Sequence, residues 1–451
     1  MELIDKKVLV VGYSKSGIAA TRFLLKKGAK VIVTDLKKEE DFGEILNERP
    51  DFSYIFGREP EFYEIKDIDL IVVSPGVPLD KPFLQKAKEN GIEIISEVEL
   101  AYRFCKAPIV AITGTNGKTT TTTWTGEMIK NSGRKCFVVG NIGYPIIDVV
   151  DMADEDSVVV AEISSFQLES SIYFKPKVAV ILNITPDHLN RHKTFENYVE
   201  AKSLIFKNQD KNDFTILNAD DSITSDLAEK SSAKVVFFSR KKELNQGFFL
   251  HGDYIVLNWE DKLYEICKIR DVGIPGLHNL ENALAAATAS FLMGVDTNII
   301  GETIRNFKGV EHRLEFVREL NGVKFYNDSK GTNPDASIKA IEALDRPLIL
   351  IAGGYDKGSD FTEFVKAFNG RVKYLVLLGQ TADKIKETAE RLGFKNIVMV
   401  KDMQEAVRKG YELAEEGDCV LLSPACASWD MFKNFEERGR IFKEAVYSLG
   451  R

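Results

Sequence analysis

The stretch Ile109-Val110-Ala111-Ile112-Thr113-Gly114-Thr115-Asn116-Gly117-Lys118-Thr119-Thr120 decides the fold. Four apolar residues and a threonine read as a buried strand. A glycine turn follows, and then a helix-like run. Strand, turn and helix in that order are the setting in which a glycine-lysine loop cradles phosphate. Backbone N–H groups at the start of the helix attract anions. Lys118 can offset β- and γ-phosphate charge, and the Thr119 hydroxyl can reach Mg²⁺. The spacing is Gly-x-x-Gly-Lys-Thr, with Ile112 where the common phosphate loop has its first glycine. This is therefore a variant loop; a Gly/Thr-rich turn without a ligand is the alternative.

Working outward, the same strand-then-glycine pattern opens the chain. Lys7 to Val11 runs into Gly12-Tyr13-Ser14-Lys15-Ser16-Gly17, and a helical pattern follows through Ile18, Phe23 and Leu24 to Gly28. A second strand, Lys30 to Thr34, stops at Asp35; a third, Leu70 to Val73, stops at Ser74-Pro75-Gly76. The first turn is similar to a dinucleotide fingerprint but lacks the middle glycine, which lets the backbone approach a pyrophosphate. An NAD site, another nucleotide-like ligand and a plain structural turn all remain open on these residues alone.

Past the central loop, strands are expected at Ser157–Ala161 and Val178–Leu182, and a buried Ala-rich helix at Asn279–Met293. A hinge-like Lys308-Gly309-Val310 closes that section. The last section carries strands at Pro347–Ile351, Val372–Leu378 and Cys419–Leu422. Strands alternating with helices imply α/β architecture with parallel sheets covered on both faces. With 451 residues, about three domains are expected.

Several clusters could carry chemistry. Glu162 ends a strand, where ligand-binding loops lie in α/β sheets; it is either a hard-metal ligand or a surface acid. His188 and His192, four apart, share a face if they stand on a helix. They read as a pair of partly exposed histidines, or as one histidine serving a Mg²⁺ site. Lys202 reads as an ordinary lysine with a buried stem and a wet head. Tyr326 to Pro334, Gly353 to Lys357 and Ser423 to Phe432 form three polar loops. Each follows a strand-like run, so together they suggest a converging site.

Acids outnumber bases 68 to 60, for a net charge of −8. That balance argues against a general nucleic-acid binder. No run approaches the ~18 apolar residues of a membrane span, and the first residues lack a signal-peptide pattern, so a cytoplasmic protein is expected. Five cysteines without CxxC spacing read as buried free thiols.

Taken together, these motifs resemble the Mur ligases of peptidoglycan synthesis over nearly the whole chain. The loop at Gly114–Thr120 resembles that family's ATP loop, which folylpolyglutamate synthases share. The loop Asn327–Asn333 and the cluster Ser423–Ser428 resemble the branch that adds D-glutamate. The resemblance implies three domains: a Rossmann-like UDP-substrate domain over 1–96, a central P-loop ATPase-like α/β domain over 97–308 and a Rossmann-like amino-acid domain over 309–451. It implies an ATP-dependent amide ligase that adds D-glutamate to UDP-N-acetylmuramoyl-L-alanine through an acyl phosphate. ATP and Mg²⁺ are the implied cofactors, with small-molecule partners and a monomeric chain.

The resemblance also implies residue roles. Ser16, Asp35, Ser74, Pro75 and Gly76 would lie near uridine and diphosphate. Asn141 and Ser164 would meet the muramoyl-alanine arm or its activating phosphates, and His188 would also contact the UDP substrate. Gly114, Thr115, Asn116, Gly117, Lys118, Thr119, Thr120, Asn279, Asn282, Arg313 and Asp328 would hold ATP. Thr119, Glu162, His188 and Lys202, the last as a carbamate, would bind magnesium. Lys118, Glu162, His188, Lys202 and Arg313 would serve catalysis. Lys330, Thr332, Lys357, Ser428 and Phe435 would surround D-glutamate. Lys15, Asn190 and Trp429 depart from the family's common residues, Trp429 beside the glutamate pocket.

Overall fold

The computed structural model describes residues 1–42, 52–344 and 346–450, the side chain of Asn190 excepted. That asparagine, one of the departures named above, therefore lies outside the described side chains. Two compact units emerge: Met1–Asp271 with Leu280–Arg305, and Val272–Asn279 with Asn306–Arg451.

The first unit holds two sheets. One contains β1 (Lys7–Val11), β2 (Lys30–Asp35), β3 (Ser53–Phe56), β4 (Leu70–Val73) and β5 (Glu93–Ser96), in the order β3-β2-β1-β4-β5. All neighbours are parallel. Val8, Leu9 and Val10 in β1 and all of β4 are buried. Strands covered on both faces need an uninterrupted apolar run, and these have one. The helix Lys15–Lys26 covers one face through Ala19, Ala20, Phe23 and Leu24. Strand order reverses between β1 and β4, which opens a crevice at their C-terminal ends.

The helix Glu97–Phe104 leads from this sheet into the next, capped by Ser96 Oγ on the Glu99 N–H. Its two glutamates are buried. Glu97 Oε1 accepts the Ile147 N–H at 2.8 Å. Glu99 Oε2 accepts three successive N–H groups, from Ile172, Tyr173 and Phe174, while Oε1 takes the Arg103 guanidinium.

The second sheet has nine strands: β6 (Ile109–Thr113), β7 (Cys136–Gly140), β8 (Val158–Glu162), β9 (Val178–Ile181), β10 (Phe214–Asn218), β11 (Lys234–Ser239), β12 (Gly247–His251), β13 (Tyr254–Trp259) and β14 (Lys262–Lys268). Their order is β14-β13-β12-β11-β10-β9-β6-β8-β7. The expectation of purely parallel sheets fails at one edge. Strands β12, β13 and β14 form an antiparallel meander. Glu260 and Asp261, with φ of 51° and 59°, make the β13–β14 turn. Positive φ at both central residues matches the twist of a hairpin.

The second unit carries the third sheet: β15 (Glu315–Leu320), β16 (Val323–Asn327), β17 (Leu348–Ala352), β18 (Val372–Leu377), β19 (Ile397–Met399) and β20 (Cys419–Leu422), in the order β15-β16-β20-β17-β18-β19. Its first pair is antiparallel, joined at Asn321 and Gly322, both with positive φ. Tyr326 and Asn327, expected in a loop, therefore end strand β16. Among the described residues no helix is long and apolar enough to cross a membrane. All five cysteines are free; Cys267, Cys419 and Cys426 are buried, while Cys105 and Cys136 are half-buried.

Candidate active site

Strand β6 ends where the glycine loop begins. Gly117 is the N-cap of the helix Lys118–Asn131, with φ of 83°. A side chain there would also run into Asn282 Oδ1, so the position requires glycine. The loop is pinned from the neighbouring strand by Asn183. Its carbonyl accepts the Thr115 N–H at 2.9 Å, and its Oδ1 accepts the Asn116 N–H at 2.9 Å. Lys118 Nζ lies over the loop and donates to the Gly114 and Thr115 carbonyls at 2.8 and 2.9 Å. Thr119 and Thr120 are buried in the first helical turn, and Thr121 Oγ1 donates to Asn282 Oδ1 at 3.3 Å.

Glu162 stands beside this loop, paired with Ile112 across the β6–β8 ladder. It is buried, so the surface-acid alternative is excluded. Asn141 donates to its Oε1 at 2.8 Å, while Oε2 is buried without a hydrogen-bond partner. An orphaned carboxylate oxygen at the edge of a phosphate loop fits a hard cation. Among the described residues, no set of three His, Cys, Asp or Glu side chains forms a metal centre by itself.

Lys202 is corrected from a wet surface lysine to a buried one, 2% exposed. Its Nζ donates to the Gly114 carbonyl at 2.9 Å and lies 4.5 Å from the centre of the Tyr198 ring. Burial, with the Lys118 charge adding to it, pulls its pKa down to about 7.

The two histidines separate. His188 is exposed, with φ of 52°, and caps a single helical turn, Leu189–His192, rather than sharing a helix face with His192. His192 is buried and stacks on Phe166 with centroids 5.2 Å apart. Ser164 caps the helix Ser165–Leu168 through a capping box with Gln167.

In the crevice of the first sheet, Asp35 Oδ2 accepts the Tyr13 N–H at 2.7 Å and its Oδ1 the Lys37 N–H at 2.9 Å. Ser74 Oγ turns onto the Gly12 carbonyl. A cleft of about 180 Å³ is lined by Gly12, Asp35 and Gly76, and also by Arg58 and Lys81. Ser16, half-buried, lies in the first turn of the helix Lys15–Lys26. Pro75 is half-buried beside Gly76.

In the second unit, the three polar loops do meet. Asp328 Oδ2 accepts from Ser423 Oγ at 2.7 Å, and Ser423 Oγ lies 2.8 Å from Ser337 Oγ, from which it can accept. Burial pushes Asp328 up to about 6. Its Oδ1 accepts the Leu314 N–H, next to Arg313. Arg438, buried, donates to Ser329 Oγ and to the Cys426 and Ala427 carbonyls. The Tyr355 N–H donates to the Ala427 carbonyl.

Lys330 lies 5.8 Å from the centre of the Phe435 ring, and Lys357 lies 4.7 Å from that of Trp429. The Thr332 N–H bonds the Lys330 carbonyl, and the Ser428 carbonyl accepts the Phe432 N–H. Asn279 Nδ2 bonds the Pro275 carbonyl at 2.6 Å.

Five residues built into these clusters escaped the sequence reading: Asn183, Tyr198, Arg58, Lys81 and Arg438. Asn183 has a local signal, as the first polar residue after an apolar strand, and Tyr198 has one in standing a helical turn before Lys202.

Residues 6–96 match the family description "Mur ligase MurD-like, N-terminal domain", 112–290 "Mur ligase middle domain" and 312–426 "Mur ligase, glutamate ligase domain". The chain is 57% identical over 456 residues to a UDP-N-acetylmuramoylalanine–D-glutamate ligase of Thermoanaerobacter sp. (strain X514), covering 100% of both chains. It is 52% identical over 453 residues to the ligase of the same name from Clostridioides difficile (strain 630), again covering 100% of both. Among solved structures it is similar in fold to the UDP-N-acetylmuramate-alanine ligase MurC of Thermotoga maritima. The TM-score there is 0.60 at 20% identity, over 98% of this chain and 99% of that one. Matched in three successive segments and more than half identical end to end to these relatives, the chain belongs to the Mur ligase family.

Proposed function

We propose that this chain is an ATP-dependent ligase that joins D-glutamate to UDP-N-acetylmuramoyl-L-alanine in peptidoglycan precursor synthesis. The observation that carries this reading is the end-to-end identity with ligases of that name. The proposed division is 1–96 for the UDP substrate, 97–308 for ATP and 309–451 for the amino acid. The chain is proposed to act in the cytoplasm as a monomer on small molecules, engaging neither nucleic acid nor membrane, in support of cell-wall growth, cell shape and division.

A carboxylate does not condense with an amine at neutral pH, so the substrate's alanine carboxylate must first take the γ-phosphate of ATP. The amine of D-glutamate then attacks the acyl phosphate, and phosphate leaves. Protein groups contribute by positioning and by meeting charge as it develops. The loop Gly114 to Thr120 offers backbone N–H groups to the phosphates, and Lys118 brings a cation to the transferring group. Asn279, Asn282 and Asp328 are proposed to hold the nucleoside, and Arg313 to meet the phosphates. Ser16, Asp35, Ser74, Pro75 and Gly76 would hold the UDP end; Asn141, Ser164 and His188 would hold the arm. Lys330, Thr332, Lys357, Ser428 and Phe435 would orient D-glutamate.

Mg²⁺ would be held by Thr119, Glu162, His188 and a carbamoylated Lys202; the orphaned Glu162 Oε2 supports the fit. When bound, it supplies charge neutralisation at the phosphates. Carbamoylation needs a neutral amine, which the depressed pKa of Lys202 supports.

The test is phosphate release from ATP and Mg²⁺ with UDP-N-acetylmuramoyl-L-alanine, comparing D-glutamate with L-glutamate, D-aspartate and L-lysine. Release that requires both the UDP substrate and D-glutamate is expected. Release with another amino acid would keep the ligase and move the acceptor. No release with any of them would overturn the reading.

A further inference from the structure

Between the crevice of the first sheet and the arm helix of the second lies a cluster to which no role has been given. Glu169 meets two side chains at once: its Oε2 takes Arg191 Nη2 at 2.8 Å, and its Oε1 lies 3.5 Å from His192 Nδ1. Arg191 Nη2 also donates to the Val77 carbonyl at 3.1 Å. Val77 directly follows Ser74-Pro75-Gly76 and lines the crevice. On the other side, His192 Nε2 is 3.0 Å from Ser165 Oγ, in the first turn of the helix that Ser164 caps. Phe166 fills the middle, stacked on His192 and lying 5.0 Å from the Arg191 guanidinium. The carbonyl of His192 is itself held by Asn197 Nδ2 at 2.9 Å.

We infer that Arg191 and His192, clamped on Glu169, are positioning residues that hold the crevice loop at Val77 in register with the arm helix at Ser164–Ser165. This rests on the proposed function, under which one elongated substrate is gripped at both places. Binding energy gathered at its UDP end helps the reaction only if the spacing between the two grips is fixed. A planar guanidinium suits the task, because it can bond a carboxylate and a carbonyl from one rigid fork. His192 can hold Ser165 and Glu169 at once because its two ring nitrogens point apart.

The test uses the full chain with Arg191→Met and His192→Phe, the second keeping the ring stack on Phe166. Turnover of UDP-N-acetylmuramoyl-L-alanine is compared with that of N-acetylmuramoyl-L-alanine 1-phosphate, which lacks the uridylyl end. Each variant is expected to narrow the kcat/KM preference for the full substrate by roughly tenfold, the cost of losing remote binding energy. KM for ATP should hold, and Arg191→Lys should recover part of the preference. Equal losses on both substrates, or no loss on either, would overturn the inference.

Hydrogen exchange in the ligand-free chain gives a readout independent of the reaction. Both variants should speed exchange together in segments 74–79 and 164–172. Loosening of only one segment, or of neither, would also overturn it. If the unaltered chain turns over neither substrate, the proposed function fails and the exchange result alone decides this inference.

Discussion

Lys202 Nζ donates to the Gly114 carbonyl at 2.9 Å, so the amine proposed to take up CO₂ already lies against the phosphate loop. Lys202→Ala is expected to lower kcat by about 10²-fold or more, the scale of losing one group that meets charge in the transition state. Bicarbonate cannot restore a side chain without an amine, whereas a short-chain carboxylic acid should recover part of the rate. Full activity without any added acid would remove the carbamate from the mechanism.

Lys118 reaches the same loop from its helix side. Lys118→Ala should sharply slow formation of the acyl phosphate, because the transferring phosphoryl group loses its nearest protein cation. The loss should be about 10²–10³-fold in ADP release with saturating UDP substrate, with little change in thermal midpoint. ADP release at the unaltered rate would dismiss Lys118 from phosphoryl transfer.

Glu97 supplies a pH prediction away from the reaction. Burial, with Asp148 adding a little, pushes its pKa up from 4.5 to about 7. Between those values the native chain keeps a proton that the unfolded chain has released. Stability therefore falls as pH rises through that window and levels off above it. Glu97→Gln should flatten this slope and gain up to about 3 kcal/mol at pH 8. Urea unfolding of both chains from pH 5 to 8 measures it; parallel curves would mean that Glu97 is ionised throughout.

Trp429 is 62% exposed, yet it is flanked by Tyr355 at 5.6 Å and Lys357 at 4.7 Å. An exposed cation–π contact is worth ~0.5–1 kcal/mol. Trp429→Leu should free Lys357 and raise KM for D-glutamate by roughly 2- to 5-fold, leaving KM for ATP in place. A KM for D-glutamate unchanged within error would show that the ring does not orient Lys357 for the acceptor.

The parts of this molecule legible in sequence are those whose signal is local. Leu70–Val73 and Cys419–Leu422 are uninterrupted apolar strands and Ile109–Thr113 is four apolar residues and a threonine, and the observed bounds of all three match the sequence expectation. The glycine loop was readable because its strand, turn and helix are contiguous. The meander β12–β14 was not, because its Glu260-Asp261 turn carries no glycine to announce a hairpin. The Asn321-Gly322 turn does carry that signal, and it places Tyr326 and Asn327 in a strand. At the site, Asn183, Tyr198 and Arg438 come from segments far along the chain from the loops they hold. Lys202 reads as a surface lysine because, although Tyr198 stands one turn before it on the same helix, nothing there reveals that the Gly114 loop closes over it.

The three N–H groups gathered by Glu99 bear on where the molecule can be cut. The carboxylate sits on the helix that follows the first sheet, while the N–H groups belong to the second, and Ser96 N–H bonds the Ser170 carbonyl beside them. A chain cut after that helix, before strand β6, would leave the carboxylate acceptor on one fragment and three bare donors on the other. Fragments divided there should express poorly apart and recover when mixed, so the helix Glu97–Phe104 has to travel with the second sheet whenever the two are separated.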